Sequence, residues 1–419
     1  MQVIKRDNRK VNFNREKIVN AILKAFKEVD GNVTEYATGK ANNIATYIEN
    51  KALENNKAFT VEEIQDLVEN GLMSTKRKDV AKAYIKYRDF RTRERNKNSK
   101  FGKLIREKLT ASNVQNQNAN MDEYSFGGRM GEASSELAKQ DALDNLVSEK
   151  FVNLYKNNIL YIHDFNSYSV GMHNCLTIPF DDLLAKGFET RQQSIRESTT
   201  ISSALQLIAV IIQCQSLVQF GGVSASHIDW TLVPYVRKSF YKHYRTGCHY
   251  FYDIDEKDFH IDCKPQELSI THDWYKNTFP KAYEYAINET KKETYQAVEG
   301  MLHNLNSLQS RSGNQLPFSS INYGTCTLEE GRLVTKAILE NTIKGGGKLH
   351  STYIFPCQIF KVKKRVNKEP NTPNYDLYRL ALKCTTLRLY PNYANVDWST
   401  NQYENDGSLD AEMSTMGKV

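Results

Sequence analysis

From about residue 131 onward, helical stretches alternate with short apolar strand-like runs, and nothing else constrains the fold as tightly. The helical spacing covers 133–155, 191–220, 229–243, 272–306, 328–343 and 374–389. The strand-like runs are 158–163, 175–180, 316–323 and 352–358. Such alternation implies an α/β domain with a substantially parallel sheet. Two of the strand candidates run with polar, small-residue turns, PFSSINYGTC (317–326) and STYIFPC (351–357). The ends of parallel strands are where α/β sheets bind ligands.

The first hundred residues read differently. Val3-Ile4-Lys5-Arg6 and Val11-Asn12-Phe13 flank Asp7-Asn8, whose residue types tolerate the positive φ of a hairpin turn. Asn14 is placed to N-cap a helix with an apolar stripe of Ile18, Ala21, Ile22 and Ala25. Further helices are predicted at 35–54, 61–74 and 78–95. Thr60 is the N-cap of the third helix, with Glu62 and Glu63 in its first turn. The stretch from 96 to 130, ending in polar TASNVQNQNANMDEYSFGGRM, reads as a linker or long ordered arm. The expected domains are thus 1–95, an arm over 96–130, and 131–419.

The net charge is +7, but residues 1–110 hold 25 Lys and Arg against 15 Asp and Glu, while the remainder is slightly acidic. A basic N-terminal unit suits a polyanion such as nucleic acid or a nucleotide triphosphate, although a solvated helical surface has the same composition. No apolar run approaches the ~18 residues of a membrane span. The opening MQVIKRDNRK has no apolar signal core. Seven cysteines without a CxxC pair argue against a disulfide framework and against a zinc site, so no metal ligand set is assigned. The expectation is a reduced, cytoplasmic protein.

Chemistry concentrates in YIHDFNSYSVGMHNCLTIPF (161–180), where Cys175 follows His163, Asp164, His173 and Asn174 and precedes an apolar run. A lone cysteine is more often a small hydrophobe than a reactive group, so packing is the competing reading. His163 and Asp164 either orient the Cys175 turn or form a structural hydrogen bond. Gln219-Phe220-Gly221-Gly222 offers backbone N–H groups to a phosphate or substrate. Asn314, Gln315, Ser319, Ser320 and Asn322 surround a predicted strand end and are substrate-contact candidates with a strong structural alternative. Cys326, Cys357 and Cys384 read as packing thiols.

The opening VIKRDNRKVNFNREKI, with Thr60 and AYIKYRDFR, resembles an ATP-cone, the nucleotide-binding regulatory domain at the front of many ribonucleotide reductases. The resemblance implies that ATP or dATP binds there as an allosteric effector. Lys5, Arg6, Thr60, Tyr87, Arg88 and Arg91 would face the nucleotide, with Val3 and Ile18 packing against base and ribose. The rest resembles the catalytic subunit of anaerobic (class III) ribonucleoside-triphosphate reductases, which are glycyl radical enzymes. The matching stretches include GMHNCLTIPFDDLLAKGF (171–188), QFGGVSASHIDWTLVPYVRKSF (219–240), HNLNSLQSRSGNQLPFSSINYGTCT (303–327) and RLYPNYANVDW (388–398).

That resemblance implies a cone of a β-hairpin plus four helices, followed by part of a ten-stranded α/β barrel. It also implies removal of the ribose 2′-hydroxyl of ribonucleoside triphosphates by thiyl and glycyl radical chemistry, with formate as reductant, for DNA synthesis. Cys175 matches the reducing thiol and Asn174 a substrate-positioning residue. A radical S-adenosylmethionine activating enzyme and a homodimer are the implied partners. The family pattern departs at the end, DAEMSTMGKV, where Lys418 stands in place of the finger-loop cysteine. The thiyl residue, zinc cysteines and glycyl radical site of the family are then expected outside this sequence, which suggests a truncated or split-gene portion, inactive alone and completed by a second chain. The alternative is a regulatory fragment in which only the cone functions. A formate-lyase-type acyltransferase fits less well, having no use for dATP feedback.

Overall fold

The computed structural model describes residues 2–6, 9–54, 58–112, 122, 124–171, 173–255, 259, 264, 266–311, 313–400, 409 and 412–416. The chain forms two compact units, Met1–Arg106 and Glu107–Val419.

In the first unit, β1 (Gln2–Ile4) pairs antiparallel with β2 (Lys10–Asn12), bringing Val3 opposite Val11. The expected turn at Asp7-Asn8 lies outside the described residues. Asn14 caps α1 (Arg15–Asp30), its side-chain oxygen accepting from the Lys17 N–H at 3.2 Å. The helix ends at Gly31, which takes φ 76°, a conformation that glycine adopts without steric cost. Next come α2 (Glu35–Glu54), β3 (Phe59–Thr60), α3 (Val61–Met73) and α4 (Lys78–Lys97). β3 pairs parallel with β1, a strand that sequence patterning did not indicate. Thr60 caps α3 in a reciprocal capping box with Glu63. Ile22, Phe26, Ile48, Val68, Leu72 and Val80 form the centre of this unit's core. The alanines of α2 (37, 41, 45) let the neighbouring helices approach closely.

Beyond α4, the stretch expected as a linker carries α5 (Lys100–Thr110) and the start of α6 (Phe126–Asp141). Ser125 caps α6 by accepting from the Gly128 N–H at 2.9 Å. A short π-helical segment, Ala142–Leu146, separates α6 from α7 (Glu149–Lys156). The strand expected over 158–163 is absent. Asn158 takes φ 57° and the Ile159 N–H closes α7 onto the Leu154 carbonyl, leaving Ile159 and Tyr161 exposed.

The sheet of the second unit begins with β4 (Leu176–Thr177), followed by α8 (Phe180–Lys186) and a small hairpin, β5 (Phe188–Glu189) with β6 (Ser194–Ile195). The helix expected from 191 therefore starts later, as α9 (Ile201–Ser216), where Thr200 and Ser203 form a capping box. Then come β7 (Val223–Ala225), α10 (Ile228–Thr231) and α11 (Val233–Tyr252). The predicted 272–306 helix is two, α12 (Asp273–Thr278) and α13 (Pro280–Ser307), because the residue before a proline is biased away from helical backbone. The remaining elements are β8 (Ser319–Tyr323), α14 (Glu329–Lys344), β9 (Cys357–Val362), α15 (Tyr375–Arg388), β10 (Asn392–Asn395) and α16 (Val396–Thr400). β9 starts five residues later than expected, just after Pro356, which has no N–H to give a ladder.

The five strands lie in the order β10-β9-β8-β7-β4, and every neighbouring pair is parallel. The chain is thus α/β, with a parallel sheet of five described strands. Helices α9, α11, α13 and α14 supply much of the core around it, with Leu205, Ile208, Phe240, Val298, Leu302 and Ile338 buried.

Candidate active site and N-terminal cavity

Because all five strands run the same way, residues preceding them gather at one end of the sheet and residues closing them at the other. Cys175 precedes β4 and Gly222 precedes β7. The register Leu176↔Val223↔Ser319 places Cys175, Gly222 and Phe318 in one row. The Gly222 N–H points at the half-buried Cys175 sulfur, 3.4 Å away. The Asn174 side-chain oxygen lies 3.7 Å from the same sulfur.

The turn that delivers Gly222 is held from several sides. The Phe220 N–H donates to the His173 carbonyl at 3.0 Å. The Gln219 amide donates to the carbonyls of Gly221 (3.2 Å) and Gly222 (2.7 Å), and itself accepts from Gln215 at 2.7 Å. A Cβ on Gly221 would sit 1.3 Å from the Asn174 carbonyl oxygen. Glycine is required there by the closeness of two backbones rather than by a positive φ.

Arg311 completes this end. Its guanidinium donates to the Phe220 carbonyl and, at 3.4 Å, to that of Gly221. It also lies against the rings of Phe318 and Phe220, 4.0 and 5.3 Å from their centroids. Burial lowers its pKa to about 10, and the charges of Asp164 and Cys175 act to raise it. Asp164 pairs with His163 at 2.7 Å. Sequence reasoning passed over Arg311. The available signals were its place in a polar loop before the 316–323 run and within the family-like stretch 303–327.

The substrate candidates divide between the two ends. Gln219, Gly221 and Gly222 stand beside Cys175. Ser319 is buried at the start of β8 with its hydroxyl donating to the Pro317 carbonyl at 3.1 Å. Asn322 lies three residues further along β8, fully buried, toward the opposite end. Its amide donates to the Ala225 carbonyl (2.9 Å) and the Thr415 carbonyl (3.0 Å), while its oxygen accepts from the Thr415 N–H at 3.1 Å. At that same end Glu412 is buried, 2.5 Å from Lys363, 3.5 Å from Lys361, and accepts from the Thr325 hydroxyl at 3.2 Å. Lys418 lies outside the described residues.

In the N-terminal unit, a cavity of about 210 Å³ opens between the hairpin, α1 and α3. Val3, Lys5 and Ile18 line it, with Lys17, Gln65 and Tyr84. Arg6 reaches its rim by donating to Gln65 at 3.2 Å. Thr60 does not line it, and its hydroxyl is taken up by Glu63, accepting from the backbone N–H at 3.1 Å and lying 3.0 Å from the carboxylate. Arg88 is committed to Glu62, Asp66 and Glu69 at 2.7–2.9 Å. Arg88 and Arg6 together hold the Glu62 carboxyl below its usual range. Tyr87 lines a separate groove with Lys24, Lys27, Lys82 and Lys86. Arg91 is exposed. Sequence reasoning missed Lys17 and Gln65, which reach the cavity only through the packing of α1 and α3.

Residues 117–417 match the family model of anaerobic ribonucleoside-triphosphate reductase. The chain belongs to that family. Residues 1–93 match the ATP cone domain. The anaerobic ribonucleoside-triphosphate reductase of Escherichia coli (strain K12) is 31% identical over 398 residues, covering 94% of this chain and 51% of the relative. That of Enterobacteria phage T4 is 29% identical over 284 residues, 68% of this chain and 42% of the relative. The chain spans about half the length of the curated relatives it matches along nearly all of its own. An anaerobic ribonucleotide reductase from Thermotoga maritima, solved in complex with dATP and CTP, aligns with 70% of this chain and 46% of its own at 12% identity and a TM-score of 0.46.

Proposed function

We propose that this chain carries the effector-binding cone and the thiol-bearing part of an anaerobic ribonucleotide reductase. Its substrates are ribonucleoside triphosphates and its products the deoxyribonucleoside triphosphates used in DNA synthesis. The observation that carries the reading is Cys175 held between the Asn174 side chain and the Gly222 amide, at the amino end of the parallel strands in a chain of this family.

In this reading Cys175 supplies reducing hydrogen to the ribose carbon that loses its hydroxyl, and Asn174 orients the sugar. Overall, the 2′-hydroxyl takes up a proton and leaves as water, hydrogen takes its place on the carbon, and formate supplies the two electrons and becomes carbon dioxide. Gln219, Gly221 and Gly222 shape the substrate side of the turn. Radical generation in this reading is the work of a glycyl radical, the device of the family. A radical S-adenosylmethionine activating enzyme is the partner in this reading, with a homodimer as the assembly and the cytoplasm as the compartment.

The basic, apolar-floored cavity of the N-terminal unit is the proposed ATP and dATP site. Val3 and Ile18 provide apolar contact, and Lys5 and Lys17 provide positive charge. Calorimetric titration of the full chain with ATP and dATP tests it. Saturable binding at one site per cone, weakened by substitution of Lys5, is expected. No heat with either nucleotide would remove the effector reading.

A further inference from the structure

A buried arginine that ties down two carbonyls can be pure architecture. Arg311 does more than that role requires. Its two carbonyl partners belong to the turn that leads to Gly222, and its ring contacts are Phe220 in that turn and Phe318 in the row that contains Cys175. Phe220 and Gly221 accept its hydrogen bonds, and the next residue, Gly222, is the one whose N–H meets the sulfur. Phe318 packs against the guanidinium and accepts the Val223 N–H at 2.8 Å through its carbonyl, so the same group is braced against the start of β7. Arginine presents a planar fork that satisfies two acceptors at once, whereas lysine offers a single point charge. The cation is nearly sequestered from water, so its field on neighbouring groups is weakly screened. Asp164 is the counter-charge on this side, shared with His163.

We infer that Arg311 is the positioning residue of the Cys175 site: its fork locks the 220–221 turn that presents the Gly222 amide to the sulfur, and its charge makes anions the preferred reaction partners of that thiol. The inference rests on the reading of Cys175 as the reactive thiol. It extends that reading by giving the site a charge preference, suited to a small carboxylate or a phosphorylated sugar. A neutral alcohol or aldehyde would gain nothing from it.

The test uses the full chain and two alkylating reagents of similar size, anionic iodoacetate and neutral iodoacetamide. Modification of Cys175 and of the exposed Cys214 is followed separately by peptide mass spectrometry. The iodoacetate-to-iodoacetamide rate ratio at Cys175 is expected to exceed that at Cys214 by about threefold or more. In R311Q the Cys175 ratio falls to the Cys214 value. In R311K the ratio is retained, but both absolute rates at Cys175 change because the two-carbonyl fork is gone. Equal ratios at the two cysteines of the unaltered chain overturn the inference without any variant being made. A Cys175 ratio untouched by R311Q also overturns it, since a purely structural arginine would change both rates together. Failure of Cys175 to react with either reagent removes the reactive-thiol reading itself, and this inference falls with it.

Discussion

The backbone N–H of Gly222 meets the sulfur of Cys175 at 3.4 Å across two parallel strands, although the residues are 47 positions apart. One hydrogen bond therefore ties the candidate thiol to the glycine turn. The turn in turn depends on how closely Gly221 approaches Asn174. G221A puts a methyl group where the Asn174 carbonyl already is, and overpacking of this kind costs about 1–3 kcal/mol. G222A meets its nearest atom, the Phe318 carbonyl oxygen, at 3.4 Å, an ordinary contact. Thermal unfolding is expected to show a melting temperature lower by several degrees for G221A and little change for G222A. Equal shifts would mean that the turn is not set by the Asn174 contact.

Asn322 anchors Thr415 in both directions, donating to its carbonyl and accepting from its N–H. N322D replaces the donor with a second acceptor facing the carbonyls of Ala225 and Thr415. Each such mismatch costs about 1–3 kcal/mol in a buried site. The segment around 412–416 should then be cleaved faster in limited proteolysis, with the rest of the sheet unaffected at low protease. Unchanged cleavage there would show that Glu412, with its Lys361 and Lys363 partners, holds the segment unaided.

Glu293 links α13 to α11 and α9 through His243 (2.8 Å) and Ser202 (2.8 Å). Burial pushes its pKa up, but the hydrogen bonds from His243 and Ser202 outweigh that and leave it below the usual 4.5. A carboxyl depressed in the folded state contributes stability above its unfolded pKa and loses it as pH falls through the folded value. E293Q should therefore cost about 1–3 kcal/mol at neutral pH. The gap from the unaltered chain should narrow as pH falls below 4.5 and close once the folded-state carboxyl is protonated. Denaturant titrations at several pH values would show it, and a gap independent of pH would assign the loss to packing alone.

In the cone, Lys5 lines the cavity whereas Arg88 is tied to three carboxylates. K5Q should weaken ATP binding about tenfold, the scale of one charge-assisted contact, with little change in melting temperature. R88M should do the reverse, lowering the melting temperature by leaving Glu62, Asp66 and Glu69 crowded together, with a smaller effect on affinity. Calorimetry and thermal unfolding of the same two variants separate the roles.

Local chemistry made much of the chain legible. Asn14 and Thr60 cap helices through contacts that span three residues, and α2 and α14 lie within a residue or two of where apolar spacing puts them. The alternation of helices and strands implied a parallel sheet, and the register shows one. The Cys175 stretch stood out because polar, hydrogen-bonding residue types crowd one thiol. What the sequence could not settle by itself depends on pairings far apart along the chain. Residues 158–163 have strand-like composition, yet none of the described strands pairs with them, and they follow the end of α7 instead. β7 and β10 are too short and too polar to announce themselves, and they form because the sheet offers them a partner. Asn322 and Ser319 lie three residues apart on one strand, and only the sheet's direction assigns Ser319 to the Cys175 end and Asn322 to Thr415. Arg311 acquires its place beside Cys175 by the same route, because a cation's neighbours in a packed core come from distant segments and no local pattern encodes them.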